Sequence, residues 1–426
     1  MFKKFLPVNQ LNNPETIVKL LFLVIYLLLL LNAAKYGINT TNTIGLITFF
    51  VFILIFFYRP TFSSRYQFYI TFLAIIIAGT AIRLYLAFCF YGNYDMESYD
   101  IVSDLVVHGQ NVYNETARYN YSPIWFNILG ILKMVSSGQP FHFAVRAFLS
   151  CIDLFTLLVL VSIARLQKIS YEGLIAVALL FYLNPVSYLI TGYHGQFDNL
   201  ALLFILIGIY LMLTNKNKSL ILILTSWLAF STGLIIKHIV LGHYLTGINN
   251  LVKKNFYRLL AMMATLVLFL LSFLPYWATG SEGIIRNVFL YGAIPKMYGV
   301  SSVVNLPILK YVFIAGLCLY PFFIDDRDLI TQFLLVSLFF LAFTTGMGIQ
   351  FFILPVAFGA LRQSWWFFLY SFTATVVLLG SGVNMRLAGF AAITMNAVWI
   401  VVLFWFVFLH FNLHIKQEKP VQSSHQ

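Results

Sequence analysis

The chain has 426 residues, 61% of them hydrophobic and only 9% charged, far below the roughly 25% charged residues of a soluble domain. That balance excludes an ordinary water-soluble enzyme, and apolar runs without strand-like alternation exclude a membrane β-barrel. The net charge of +12 sits in short loops between apolar runs, which reads as the cytoplasmic bias of a membrane protein and not as a nucleic-acid surface.

In chain order, apolar segments are predicted near 17–33, 43–58, 68–91, 142–164, 173–191, 199–214, 219–236, 237–252, 257–277, 303–323, 329–345, 350–361, 366–382 and 388–410. The fold class is therefore an all-α polytopic membrane protein, a helical bundle of about 11–14 membrane segments. The first apolar run follows Lys3 and Lys4 and shows no cleavage-site pattern, so it is expected to stay as a helix. The adjoining pieces 219–236 and 237–252 suit one broken or tilted unit. Cys89, Cys151 and Cys318 lie far apart in apolar segments and read as small core residues without metal spacing.

The basic loops set a topology. With Lys3 and Lys4 inside, Arg59 and Arg65, Arg165 and Lys168, Lys216 and Lys218, Lys253, Lys254 and Arg258, Arg362 and the tail all fall inside. The outer face then receives three segments, 92–141, 192–199 and 278–301. The division is into N-terminal helices over 1–67, a middle module over 68–301 carrying the three external segments, C-terminal helices over 302–410 and a cytoplasmic tail over 411–426.

The first external loop opens with "GNYDMESYDIVSDLVVHG". From Met96 it has the pattern of an amphipathic helix, with Glu97, Asp100, Asp104 and His108 on one face and Ile101, Val102, Leu105 and Val106 on the other. Asp95 precedes that helix at an N-cap position. Asp100 and Asp104 read as a solvated face. Asp95 and Glu97 lie where a span meets the interface, and acidic groups there point to function. Tyr113, Tyr119, Tyr121 and Trp125 cluster around Ser122 and Pro123, and Pro123 starts a second surface or re-entrant helix.

The order Asp95, Glu97, Tyr99, then Gly109 and Tyr113, then Tyr119, Tyr121 and Pro123 resembles the first loop of the C-type glycosyltransferases, the GT-C superfamily. It is similar to the GPI mannosyltransferases and their bacterial relatives, and to the endoplasmic-reticulum glucosyltransferases that extend the lipid-linked oligosaccharide. Further islands follow in order: Asn184, Pro185, His194, Gly195 and Phe197; Lys237 at a helix junction; and the external loop after Pro275. Where many relatives carry a His/Glu-containing pair, this chain has Gly346, Gly348 and Gln350. The resemblance implies a GT-C-like bundle with amphipathic helices in its first external loop. It also implies a polyprenyl-phosphate sugar as donor, no permanently bound cofactor, and Asp95 as the catalytic base. Mannose is favoured over glucose.

Such a transfer needs a carboxylate to take the acceptor's proton and donor groups for the charge developing on the leaving phosphate. Asp95 fits the first role, with Glu97 orienting it or binding acceptor. Lys237, His238, Arg286 and Lys296 fit the second. Tyr99, Tyr121, His194, Gln196, Asp198, Tyr298 and Gln350 complete the expected substrate-binding set. Asp95, His194 and Asp198 offer mixed oxygen and nitrogen ligands that a divalent metal could use, but no local ligand spacing supports one and a metal is not favoured. Arg146 and Asp153, seven residues apart on one span, read as a buried pair. Expected partners are the lipid-linked donor, a glycan, glycolipid or protein acceptor, and membrane lipid, with no nucleic acid. The expected location is a bacterial plasma membrane with the site on its extracytoplasmic face; Asn114 and Asn120 would accept glycans only in a eukaryotic secretory lumen. The competing function is a transporter or flippase of lipid-linked saccharide, for which mid-span charges and paired broken halves would be the mark.

Overall fold

A computed structural model describes residues 40–57 and 64–411 except 92–93, 137, 216, 218, 292–297, 305 and 384–387, together with scattered positions between 20 and 31. Its helices are α1 (Thr40–Phe57), α2 (Arg65–Cys89), α3 (Tyr94–Val107), α4 (Pro123–Val135), α5 (Phe141–Leu166), α6 (Tyr171–Tyr182), α7 (Asp198–Thr214), α8 (Leu220–Ile236), α9 (Leu241–Leu251), α10 (Asn255–Ser272), α11 (Leu274–Ile284), α12 (Leu309–Phe323), α13 (Leu329–Phe343), α14 (Leu354–Arg362), α15 (Trp365–Val383) and α16 (Ala388–His410). No strand occurs among the described residues. The chain is an all-α protein of membrane type. Five stretches among the described residues, Arg65–Cys89, Phe141–Leu166, Tyr171–Tyr193, Asn255–Ser272 and Ile393–His410, are long and apolar enough to cross a membrane, and the other apolar helices are shorter.

Burial sorts these helices. The stretch Tyr171–Tyr193 is almost wholly enclosed, whereas Asn255–Ser272 is almost wholly exposed. Phe256, Leu259, Leu260, Met263, Leu266, Val267, Leu270 and Leu271 all face outward on α10. In water such a surface would associate; in a bilayer the lipid tails cover it.

A buried polar node holds the centre. Arg83 of α2 and Asp153 of α5 are both fully buried and pair at 2.8 Å. Arg83 also donates to the carbonyls of Gly79 and Tyr182 and to the Ser187 hydroxyl, while Thr191 and Asn199 donate to Asp153. The guanidinium lies 4.1 Å from the centre of the Tyr182 ring. The expected Arg146–Asp153 pair is therefore corrected. Seven residues of helix separate the two by about 10 Å along the axis, too far for direct contact, so each takes partners from neighbouring elements. Arg146 donates to the carbonyls of Phe90 and Tyr193.

The first external loop packs as two amphipathic helices. In α3, Met96, Tyr99, Val102 and Ser103 are buried. In α4, Trp125, Phe126, Leu129 and Gly130 are buried. Pro123 occupies the first turn of α4, and the Tyr119 hydroxyl accepts from the Phe126 N–H while donating to the Ser122 carbonyl at 2.5 Å. The tyrosine thus satisfies an orphan donor of the helix start. Asp100 and Asp104 are not simply solvated: both grip Lys133 of α4, at 2.7 and 3.0 Å. Asn111 donates to the Tyr276 carbonyl and Thr279 hydroxyl, and Asn287 to the Thr116 carbonyl, so α11 and the residues after it close over the same loop.

Candidate functional site

The site begins where helical hydrogen bonding gives way after α6. Leu189–Tyr193 widens into a π-turn, with the His194 N–H on the Leu189 carbonyl and the Gln196 N–H on the Ile190 carbonyl. Such turns recur at functional positions. Gly195 then adopts φ +67°, and a Cβ there would come within 2.5 Å of the Met96 methyl. Only glycine combines this conformation with this clearance. The turn aims Gln196 at α3, and its Nε2 donates to Asp95 Oδ2 at 2.6 Å. Replacing Gly195 by Ala is expected to destabilise the protein by roughly 1–3 kcal/mol, seen as a lower melting temperature in detergent. An unchanged melt would mean that the turn relaxes freely.

Two residues further on, Asp198 opens α7 in full burial. Its Oδ2 receives Lys237 Nζ at 2.6 Å, while its Oδ1 has no hydrogen-bond partner. Lys237 reaches it because α8 stops at Ile236: Lys237 is extended at φ −153°, and a short turn over His238–Val240 leads into α9. The break expected between 219–236 and 237–252 is thus a real junction. The Lys237 ammonium lies 4.2 Å from the Phe197 ring centre and 5.2 Å from that of Tyr121.

Aromatic rings wall the site. Trp125 stacks on Phe197 at 4.3 Å and 7°. Tyr99 meets both edge-on, and Tyr121 stands perpendicular to Phe197 at 5.0 Å. The exposed His238 ring stacks against Tyr121 at 6.4 Å. Burial and then the Asp95 carboxylate push the Tyr99 phenol well up; burial, Asp198 and Asp95 do the same to Tyr121. Both hydroxyls therefore keep their protons and face the two carboxylates as neutral groups.

Of the residues expected from sequence, the structure brings together Asp95, Tyr99, Tyr121, Gln196, Asp198, Lys237 and His238. Asp95 lies inside the first turn of α3, not before it. Glu97 points elsewhere: it is exposed and pairs with Arg118 at 3.3 Å. Two residues along a helix turn a side chain to the opposite side, so Gln196 and not Glu97 holds Asp95. His194 sits behind the turn, where Nε2 meets the Leu378 carbonyl at 3.3 Å. Arg286 is exposed, and its Nε donates to Asn287. Tyr298 packs against the core, and Gln350 folds beside Gly348. No described contact links these three to Asp95. Lys296 lies outside the described residues. The segment 192–199, expected as an external turn, is buried at His194, Gln196, Asp198 and Asn199 because α3 and α4 cover it.

Phe197 and Trp125 were missing from the expected binding set. Their signal was Phe197's place between two polar residues of the turn; nothing in the local pattern of α4 identified Trp125 as its stacking partner. Among the described residues no group of three or more His, Cys, Asp or Glu could hold a metal ion. No protein-family model matches the chain, and no curated protein matches it.

Proposed function

We propose that the chain is an inverting glycosyltransferase that moves a hexose, mannose in preference to glucose, from a polyprenyl-phosphate sugar to an acceptor hydroxyl at the extracytoplasmic face of a membrane. The reading rests on the GT-C-like order of motifs in the sequence. Its main structural support is Asp95: a half-buried carboxylate at the mouth of a span, held at 2.6 Å by Gln196 and backed by the buried Asp198–Lys237 pair.

In this reaction the acceptor oxygen attacks the anomeric carbon and forms the new glycosidic bond. The bond from that carbon to the phosphate oxygen breaks, and its electron pair leaves with the polyprenyl phosphate. The acceptor's proton passes to Asp95, the general base. Asp198, the other carboxylate of the site, is fully buried on Lys237, so Asp95 stands as the single accessible base, which suits inversion. The phosphate needs no proton to leave, but it needs donors for its charge. An ammonium has three N–H donors, and Lys237 uses one on Asp198. His238 is exposed and available to phosphate oxygens, while the Lys237 ammonium, buried among Asp198 and the Phe197 and Tyr121 rings, acts through its charge. Tyr121, half-buried, and the exposed His238 ring stacked on it supply the face against which a sugar ring or the first prenyl unit lies, with the buried Trp125–Phe197 stack holding Tyr121 in place.

The break at Lys237 within a buried bundle also suits a transporter of lipid-linked saccharide, since discontinuous helices mark such sites. A panel of polyprenyl-phosphate hexoses offered to the purified protein with an acceptor mixture separates the two. Labelled glycoside product from at least one donor is expected. Movement of the intact lipid across proteoliposomes with no transfer would favour the transporter.

A further inference from the structure

A cavity lies among α3, the end of α4 and the start of α5, and neither Asp95 nor Gln196 lines it. It encloses about 290 Å³ and is lined by Tyr91, Met96, Asp100, Lys133, Phe141 and His142, with Pro140 at its edge. That volume is close to the small end of ligand pockets, about 300–1,000 Å³. We propose that this cavity is a subsite for a neutral sugar unit of the acceptor glycan, separate from the reacting centre; the assignment to the acceptor rests on the transferase reading above.

The lining chemistry selects the ligand. Tyr91 and His142 meet edge-on at 5.2 Å, and Lys133 lies 4.9 Å from the Phe141 ring centre. Tyr91 is 63% exposed, a large ring left uncovered at the rim. These rings offer faces to the C–H side of a pyranose. Asp100 and Lys133, 2.7 Å apart, place an acceptor beside a donor, which matches a hydroxyl that both donates and accepts. A phosphate or other anion fits poorly, because Asp104 adds a second carboxylate on the same ammonium at 3.0 Å. Arg146 beneath is tied to the Phe90 and Tyr193 carbonyls.

The position suits an acceptor. Met96 lines the cavity, and its methyl also packs on Gly195, the hinge of the turn that holds Asp95. The cavity and the base therefore share one wall. Asp95 and Asp100 stand five residues apart on α3, about 7.5 Å along its axis. A glycan with one unit in the cavity would present a neighbouring unit toward the base.

The test is saccharide binding to the full chain in detergent, by saturation-transfer NMR and calorimetry, with methyl mannopyranoside, methyl glucopyranoside and short mannose oligosaccharides. At least one is expected to bind both the wild type and Asp95→Asn, and to bind Tyr91→Ala about tenfold more weakly. Tyr91→Ala is also expected to raise the acceptor KM without changing the donor KM. The proposal is overturned by no saccharide binding by the wild type, by binding unaffected by Tyr91→Ala, or by binding abolished by Asp95→Asn alone. Association with phosphatidylglycerol nanodiscs that Tyr91→Ala removes, with no saccharide bound, would assign the cavity to a lipid headgroup and likewise overturn it. Saccharide binding at Tyr91 with no sugar transfer from any donor would sink the transferase reading while leaving the sugar site standing.

Discussion

Asp95→Asn is expected to lower sugar transfer by roughly 10²- to 10⁴-fold, the contribution of a positioned general base, while leaving the melting temperature close to that of the wild type. Asparagine has the shape of aspartate, and its carbonyl oxygen still accepts from Gln196 Nε2, which meets Asp95 at 2.6 Å. What it lacks is a carboxylate basic enough to take the acceptor's proton. Asp95 is only half-buried, so the exchange leaves no unpaired charge in the interior. Two companion variants separate chemistry from placement. Gln196→Leu keeps the carboxylate but frees its rotation, and misplacement of a reacting group costs up to about 100-fold. Glu97→Gln removes only the exposed contact to Arg118 at 3.3 Å and is expected to change transfer little, since exposed ion pairs contribute at most about 1 kcal/mol. The measurement is initial rate from a labelled polyprenyl-phosphate hexose, with a melt as control. Full activity in Asp95→Asn would remove the base assignment; a strong loss in Glu97→Gln would move it.

The contrast between Glu97 and Gln196 shows what the sequence could carry. Helices follow from hydrophobic length, and among the described residues the apolar runs found helices: 142–164 became Phe141–Leu166, 329–345 became Leu329–Phe343, and the suspect junction before Lys237 became a true break, while the run 17–33 lies largely outside the described residues. A charged residue inside an apolar run is costly in a membrane, so Lys237 announced itself. Its partner did not. Asp198 lies 39 positions away on another helix, and periodicity within one helix says nothing about neighbours across a bundle. The same gap misassigned Asp153, which shares a face with Arg146 but pairs with Arg83. It also hid the role of Asp100 and Asp104: their spacing gave a charged stripe, and only the packing of α4 against α3 placed Lys133 on it. Within the external loop, the tyrosine spacing marked a cluster, but the stacking of Trp125 on Phe197 joins residues 72 positions apart.

Asp153→Leu carries the largest expected loss of stability, about 3–5 kcal/mol, because it leaves a fully buried guanidinium without its carboxylate. The same change removes the carboxylate to which Thr191 and Asn199 both donate, leaving Thr191 only the Ser187 carbonyl. Asn199 follows Asp198 at the start of α7, so the loss also loosens the element that holds Lys237. Reduced transfer is therefore expected alongside the lower melt, even though Asp153 touches no substrate in the proposed reaction. Arg83→Leu should be nearly as severe, for it frees two backbone carbonyls and Ser187 while leaving the carboxylate buried. In a double-mutant cycle, the Arg83→Leu/Asp153→Leu protein is expected to melt above Asp153→Leu alone, since no unpaired charge remains in the bundle. It should still melt below the wild type, because the carbonyls of Gly79 and Tyr182 lose the guanidinium, and Thr191 and Asn199 lose the carboxylate. Additive losses in that cycle would mean that the two residues act independently, and the buried node would then be two separate sets of backbone contacts, not an ion pair bracing α2 against α5.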